Sequence, residues 1–149
     1  MPFAVTSYVN GKYLEGLMQQ TINPNWSTDS IAVALHTDAI SGQNKNNQES
    51  WPGTSTEVSS AGYTSKGQTL TAPSFVASGG VLAFDETDAN MQWTGVTFTA
   101  QGCIIFNDTT TSPYADPVIC AINFGTPQNP VNGTFTINWA ASGIFVANY

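Results

Sequence analysis

The stretch from Gly102 to Gly125 reads GCIIFNDTTTSPYADPVICAINFG, and it predicts the fold class of the chain. Two apolar runs flank a polar loop, which is the pattern of a β-hairpin. The second run is apolar almost throughout, as in a central strand that is covered on both faces. If Phe106 pairs with Pro117, the antiparallel register places Cys103 opposite Cys120 on one face of the hairpin.

The two cysteines leave a disulfide geometrically conceivable at that register, although directly opposed strand positions tend to strain the bond. We expect instead two thiols packed as small apolar side chains, in a protein assembled in a cytoplasm. The single histidine, His36, ends another predicted strand, and we expect it to be solvated. Two cysteines and one distant histidine are too few ligands to predict a metal site.

The remaining apolar runs repeat the β pattern. SIAVALHT places Ile31, Val33 and Leu35 on one face of a strand, and VTFTA and GTFTINWA alternate in the same way. Thirteen glycines and eight prolines separate the runs, as turns would. These patterns predict an all-β sandwich, and the absence of a linker predicts one domain over residues 1–149.

One segment near the N-terminus has helical rather than strand periodicity. In NGKYLEGLMQQTI, apolar residues recur at helical spacing behind Asn10, which is a favourable N-cap residue. The pattern predicts a short helix of two to three turns that covers an open end of the sandwich.

The longest polar stretch, Asp38–Glu57, is too long for an ordinary connection, which favours either a mobile segment or a contact arm. It contains Trp51, and an exposed tryptophan in a polar loop often marks a binding contact. A tryptophan folded back onto its own domain is the alternative.

The segment GYTSKGQT, from Gly62 to Thr69, differs from a phosphate-binding loop at one position, because Gln68 stands where that loop has lysine. A phosphate loop must lead into a helix, whose N-terminus holds the anion. Here the chain continues LTAPSFVASGG, which predicts strand, turn and strand. The segment is therefore predicted to be a tight turn and not a nucleotide site.

The charge balance excludes several partners. The chain has three lysines, no arginine and ten acidic residues, with a net charge of -7. Nucleic acids and anionic membranes are held through cationic contacts, so we expect neither as a partner. No leader or membrane-spanning stretch is predicted. With only 9% charged residues, the hydroxyl- and amide-rich surface suits neutral contacts with protein, or with sugar.

No motif predicts an enzyme, a cofactor or a metal. No serine or cysteine lies in a nucleophile motif, and the missing arginine removes the usual clamp for anionic substrates. The acidic turn Asp85–Asp88, within the stretch FDETDAN, does not match a calcium loop; a solvated turn is expected, with a loosely held calcium ion as the alternative.

The order of five segments resembles a family of small virion structural proteins of tailed bacteriophages, which includes capsid cement (decoration) proteins. The likeness runs from Ile22 to Phe145. The segments are INPNWSTDSIAVALHTDA, TEVSSAGYTSKGQTLTAP, VLAFDETDANMQWTGVTFTAQGCIIFND, DPVICAINFG and NGTFTINWAASGIF. The resemblance implies a jelly-roll-like β-sandwich, often a homotrimer, that sits on the outer surface of the virion and binds the major capsid protein without performing chemistry.

On this reading we expect the N-terminal segment and the Asp38–Glu57 arm to contact the capsid. The contact candidates are Phe3, Tyr8, Tyr13 and Trp51. The apolar edge formed by Ile144, Phe145 and Val146 is the candidate for trimer packing, with burial in the core as the alternative.

Two other functions remain open. One is a carbohydrate-binding module of a phage tail tip or fibre, in which Trp26, Trp51 and Tyr63 would stack on sugar rings. Aromatic residues gathered in one shallow pocket with amide partners would favour it, whereas scattered ones would favour cement. The other is a hydrolase, which needs two acidic residues facing across a cleft.

Overall fold

The computed structural model of the chain describes residues 7–37, 49–87 and 90–148. Within these ranges the chain forms β-strands in antiparallel sheets and one short helix, so the all-β prediction is confirmed. In chain order the elements are β1 (Tyr8–Val9), α1 (Gly11–Met18), β2 (Ile31–His36), β3 (Gln68–Thr69), β4 (Ser74–Ser78), β5 (Val81–Asp85), β6 (Asn90–Val96), β7 (Ala100–Asn107), β8 (Val118–Gln128), β9 (Gly133–Asn138) and β10 (Phe145–Asn148).

The strands form three sheets. The largest has the order β1-β8-β7-β2-β3, so the predicted hairpin β7–β8 lies at its centre. The second contains β10-β5-β4, and the third pairs β6 with β9. The Gly62–Thr69 segment ends in β3, and the chain after it forms β4, a turn and β5, so strands follow this segment and not a helix.

The five-stranded sheet is buried on both faces at its centre, because the side chains of β2 and β7 alternate between two apolar clusters. Ile31, Val33 and Leu35 belong to the main core, together with apolar side chains of the two smaller sheets. Ala32 and Ala34 point the other way, into a second, smaller cluster with side chains of β7 and β8. The alternation read from SIAVALHT therefore holds, and both of its faces are covered.

The predicted register of the hairpin is wrong. Cys103 lies opposite Ile122, and Cys120 lies opposite Ile105, because the pairing shifts between Ile105 and Phe106. Phe106 pairs with Val118, so β8 carries an extra residue at this point, as in a β-bulge. The starting pair differs from the predicted Phe106–Pro117 by one residue and the bulge adds one more, so the partner of Cys103 differs from the prediction by two residues.

Both cysteines are free and fully buried in the main core. They occupy diagonal positions on neighbouring strands, where Cα atoms lie about 7–8 Å apart, beyond the usual disulfide spacing. Burial raises the pKa of the Cys103 thiol to about 12 and raises that of Cys120 as well. Each thiol therefore packs as a neutral, small apolar group.

The predicted N-terminal helix is confirmed as α1. The Asn10 side chain caps it by accepting hydrogen bonds from the backbone N–H groups of Lys12 (2.8 Å) and Tyr13 (3.3 Å). The helix is amphipathic: Tyr13 is buried in the main core, whereas Met18 is exposed on the outer side. It follows that the capping residue and one aromatic anchor hold the helix against the sheets.

Gly67 ends the turn that leads into β3, and its backbone lies directly against β2. It has a φ of +74°, and a Cβ atom at this position would overlap the carbonyl oxygen of Val33. Gly79, in the β4–β5 turn, also has a positive φ of +60°, but nothing lies within 4 Å of a Cβ atom there.

We predict that Gly67→Ala lowers the free energy of unfolding by more than about 3 kcal/mol, because left-handed strain and overlap with β2 add together. Gly79→Ala carries the strain without the overlap and should cost only about 1–2 kcal/mol. Urea denaturation of both variants measures the difference, and equal losses would contradict the close approach of Gly67 to β2.

Candidate functional site

Trp51, the main contact candidate, lies against the five-stranded sheet. Its ring stacks on Phe106 with centroids 5.1 Å apart and an interplanar angle of 10°. Its indole N–H donates a hydrogen bond to Nε2 of His36 at 3.1 Å, and its backbone N–H donates to the carbonyl of Asp116 at 2.8 Å. The tryptophan thus folds back onto its own domain, which was the alternative interpretation of the sequence.

His36 is fully buried beside Trp51, so the prediction that it is solvated is wrong. Because its Nε2 accepts from the indole N–H, the proton of the neutral ring is on Nδ1, which lies 2.9 Å from the hydroxyl oxygen of Thr56. Burial lowers the pKa of His36 from its ordinary 6.5 to about 4. The histidine is therefore a neutral structural link between β2 and the segment that carries Trp51 and Thr56.

Lys66 covers the outer side of the same aromatic pair. Its Nζ lies 5.6 Å from the Trp51 ring centroid and 5.9 Å from that of Phe106. The ammonium group also forms ion pairs with Asp108 and, at 2.9 Å, with Asp116. The hydrogen bond to Asp108 is the largest cause of the raised pKa of Lys66. The Lys66 ammonium group therefore links the β7–β8 loop to the turn before β3.

The turn that resembles a phosphate loop surrounds a carboxylate of its own chain. Glu57 accepts hydrogen bonds from the Tyr63 hydroxyl (2.9 Å), the Ser65 hydroxyl (2.8 Å) and the backbone N–H of Lys66. Tyr63 in turn accepts a hydrogen bond from the backbone N–H of Leu35 at 2.9 Å. The turn thus holds an anion, but the anion is structural.

The other capsid-contact candidates lie in different environments. Tyr13 is only 2% exposed, so its ring is part of the core and is not available to a partner surface. Tyr8 is half-buried on the edge strand β1, where it packs against the same small cluster as Trp51. Burial raises the pKa of Tyr8 to about 12. Phe3 lies outside the described residues.

The described part of the Asp38–Glu57 arm, from residue 49 onwards, is hydrogen-bonded to the sheet. The backbone N–H of Val118 donates to the carbonyl of Glu49 at 3.2 Å, and Ser50 forms a β-bridge with Pro117. At the other end, the N–H of Thr37 donates to the carbonyl of Thr56 at 2.8 Å. Residues 49–57 therefore form a covering segment with Trp51 at its centre.

The three candidates for trimer packing do not share one surface. Phe145 turns inward, where its ring lies 5.2 Å from Phe84, and Ile144 is also half-buried against the main core. Val146 points outward and is 47% exposed. It lies opposite Ala83 of β5, which also pairs with Val76 of β4, itself 54% exposed. The row Val76–Ala83–Val146 is an apolar strip on the outer face of this sheet.

The aromatic residues considered for sugar binding do not gather. Trp26 packs against Phe75 and Phe84, with ring centroids 4.8 Å and 5.6 Å apart. Tyr63 uses its hydroxyl within the Glu57 turn, and Trp51 lies on the opposite face of the five-stranded sheet. These three residues therefore do not form one sugar-binding pocket.

A pocket that sequence reasoning missed lies between β8, β9 and the turn before β10. It has a volume of about 390 Å³. Its wall contains the half-buried aromatic residues Phe124, Phe135 and Trp139, and polar groups from Gln128, Thr136 and Asn138 also line it. The alternation of GTFTINWA already placed Phe135 and Trp139 on one face, but periodicity does not show where a core opens to solvent.

The acidic residues in the ranges that the structure describes do not form a metal-binding cluster. No group of three or more His, Cys, Asp or Glu side chains there is arranged to hold a metal ion. The Asp85 carboxylate accepts from the N–H of Glu86, whose carboxylate accepts from the N–H of Thr71, while Asp88 lies outside the described residues. Over the same ranges, no helix has both the length and the apolar character needed to span a membrane.

Comparisons with protein-family models, curated proteins and solved structures found no match for this chain.

The buried histidine predicts a specific pH dependence of stability. Because the pKa of His36 is lower in the folded state, the unfolded chain binds more protons below pH 6.5. The free energy of unfolding should therefore fall by about 3 kcal/mol between pH 7 and pH 4 through this group alone. His36→Gln keeps an acceptor for Trp51 but cannot be protonated, so it should lose this part of the pH dependence.

Urea unfolding at several pH values measures the effect, and an NMR titration of the single histidine gives its pKa directly. Trp51→Phe is the matched control, since it removes the indole donor but keeps the titrating ring. A wild-type stability that does not change between pH 6.5 and 5, or a histidine that titrates near 6.5, would contradict the prediction.

Proposed function

We propose that this protein is a capsid cement (decoration) protein of a tailed bacteriophage. In this role it is a jelly-roll-like β-sandwich that is made in the host cytoplasm and binds the outer surface of the virion. It bridges subunits of the major capsid protein and opposes the internal pressure of the DNA. The observation that carries the proposal is the order of the five segments from Ile22 to Phe145, which resembles that family.

Most of these segments form strands of the sheets. They include β2, β6, β7, β9 and the first part of β8, and these strands supply most of the main core. The second segment contains the turn around Glu57. The resemblance therefore rests on residues that determine the fold, and the contact surface must be identified separately.

The composition supports a protein partner with neutral contacts. The chain contains no arginine and only three lysines, of which Lys66 is paired with two aspartates and Lys12 with Glu15. Little free positive charge therefore remains for nucleic acid. Hydroxyl and amide groups can instead exchange hydrogen bonds with water for hydrogen bonds with another protein at small net cost.

The proposed contact surface is the side of the five-stranded sheet that carries Tyr8 and Trp51. Tyr8 retains partial exposure on an edge strand, while Trp51 holds residues 49–57 in place for contact. An interface of modest size can be weak, so we expect one copy to bind weakly. A homotrimer that touches several capsid subunits gains affinity through effective concentration.

The test that decides between head and tail is the copy number of this chain in purified virus particles. Quantitative mass spectrometry should find a copy number close to that of the major shell protein, since cement proteins occupy the capsid lattice. A few copies per particle would move the protein to the tail and favour the carbohydrate-binding alternative. Absence from the particle would refute both.

The proposed trimer has its own test at the strip Val76–Ala83–Val146. We predict that native mass spectrometry finds a trimer for the wild type and a monomer for Val146→Asp, because a buried carboxylate in an apolar interface is costly. Val131→Asp is the matched control: Val131 is 77% exposed and lies in the loop before β9, so the trimer should persist. A monomeric wild type, or a trimeric Val146→Asp variant, would contradict this packing.

A further inference from the structure

The pocket between β8 and β9 is formed where the main core reaches the surface. Phe135 joins it to the core, because its ring lies 5.9 Å from Trp93, 5.5 Å from Phe98 and 5.8 Å from Phe124. Trp93 and Phe98 are both buried. The aromatic wall is therefore held in place by packing, so the pocket is formed before any ligand arrives. Its volume of about 390 Å³ lies at the lower end of the range for small-molecule sites.

Trp139 brings an unused hydrogen-bond donor to this wall. Its indole N–H is buried and has no acceptor among the residues that the structure describes. The N–H of Trp93 also lacks a partner, but Trp93 does not line the pocket. Since the Trp139 nitrogen is buried, its N–H reports on the packing of the pocket wall and is not itself open to a ligand.

The chemistry of the lining restricts the ligand. None of the lining residues that the structure describes is charged, so an anion or a cation would find no counter-ion among them. The Gln128 amide N–H already donates to the carbonyl of Thr126 at 3.0 Å, but a purely apolar ligand would take the Asn138 amide out of water without giving it a partner. The ligand that fits has an apolar face for the aromatic wall and several neutral hydroxyl groups for the donors and acceptors around it.

We infer that this pocket binds one ring of an uncharged sugar, with the C–H face of the pyranose against the aromatic wall and its hydroxyl groups bonded to the amides of Gln128 and Asn138. The residues differ from Trp26, Trp51 and Tyr63, which lie elsewhere. The inference does not rest on the proposed capsid role, because a sugar site can be carried by a protein of the head or of the tail.

The test uses the four tryptophans as internal probes, since each contributes one indole N–H signal in a ¹H–¹⁵N NMR spectrum of the full chain. The probes are neutral disaccharides: maltose, cellobiose, lactose and N,N′-diacetylchitobiose. At least one should shift the Trp139 signal and leave those of Trp26 and Trp51 unchanged, with a Kd on the order of 1 mM. For maltose, cellobiose and N,N′-diacetylchitobiose, co-sedimentation with insoluble starch, cellulose or chitin distinguishes binding to a polymer from binding to a free sugar.

Variants separate the sugar site from general effects on the fold. Trp139→Phe reduces the aromatic surface of the wall, and Asn138→Ala removes one rim amide; each should weaken binding about 3- to 10-fold. Asn148→Ala is the matched control, because Asn148 is an exposed strand residue that does not line the pocket. Thermal unfolding of each variant confirms that it is folded.

Three outcomes would overturn the inference. The first is that no sugar in the panel shifts the Trp139 signal at tens of millimolar. The second is that the shifts occur at Trp26 or Trp51, or that Trp139→Phe and Asn138→Ala bind as tightly as Asn148→Ala. The third is that a variant lacking residues 1–6 has a shifted Trp139 signal in the absence of sugar and binds no sugar of the panel. The occupant of the pocket would then be the N-terminal segment of the same chain.

Discussion

One side of the fold depends on the hydrogen bonds that the Glu57 carboxylate accepts. It accepts hydrogen bonds from the turn that contains Tyr63, Ser65 and Lys66, and the Tyr63 hydroxyl also accepts from β2. With its backbone fixed there, Lys66 extends over the Trp51–Phe106 pair and binds the aspartates of the β7–β8 loop. Since the Glu57 side chain is nearly buried, its negative charge needs hydrogen-bond donors around it, and the turn provides them.

The resemblance of this turn to a phosphate loop therefore has a physical basis. Both arrangements use hydroxyl and backbone N–H donors around an anion, with a glycine where the chain must pass close to a neighbour. In a phosphate loop the site stays open and a helix N-terminus adds its dipole. Here Glu57 fills the site and a strand follows, so the same local chemistry gives a closed structural turn.

Local patterns in the sequence were sufficient for the class of fold but not for its long-range details. The helix was predictable because Asn10 and the apolar spacing that follows it are close in the chain. The register of β7 and β8 was not, since a bulge leaves no signal in the apolar pattern of either strand. The burial of His36 was also not predictable, because the side chain that covers it, Trp51, comes from a polar loop.

The pocket was missed for a related reason. Its residues alternate like those of any core strand, and only the packing of β8 against β9 shows where the core is open.

The two proposed surfaces can operate together because they lie on opposite sides of the central sheet. Trp51 packs on the small cluster formed by Ala32, Ala34 and their neighbours, whereas the pocket continues the main core on the other face. A protein that attaches to a shell through the Trp51 side therefore leaves the pocket between β8 and β9 facing away from that contact. Many copies on one particle would then present many weak sugar sites, and the avidity of such an array exceeds that of a single site. The geometry thus allows a cement protein to contribute to surface recognition without any change in its fold.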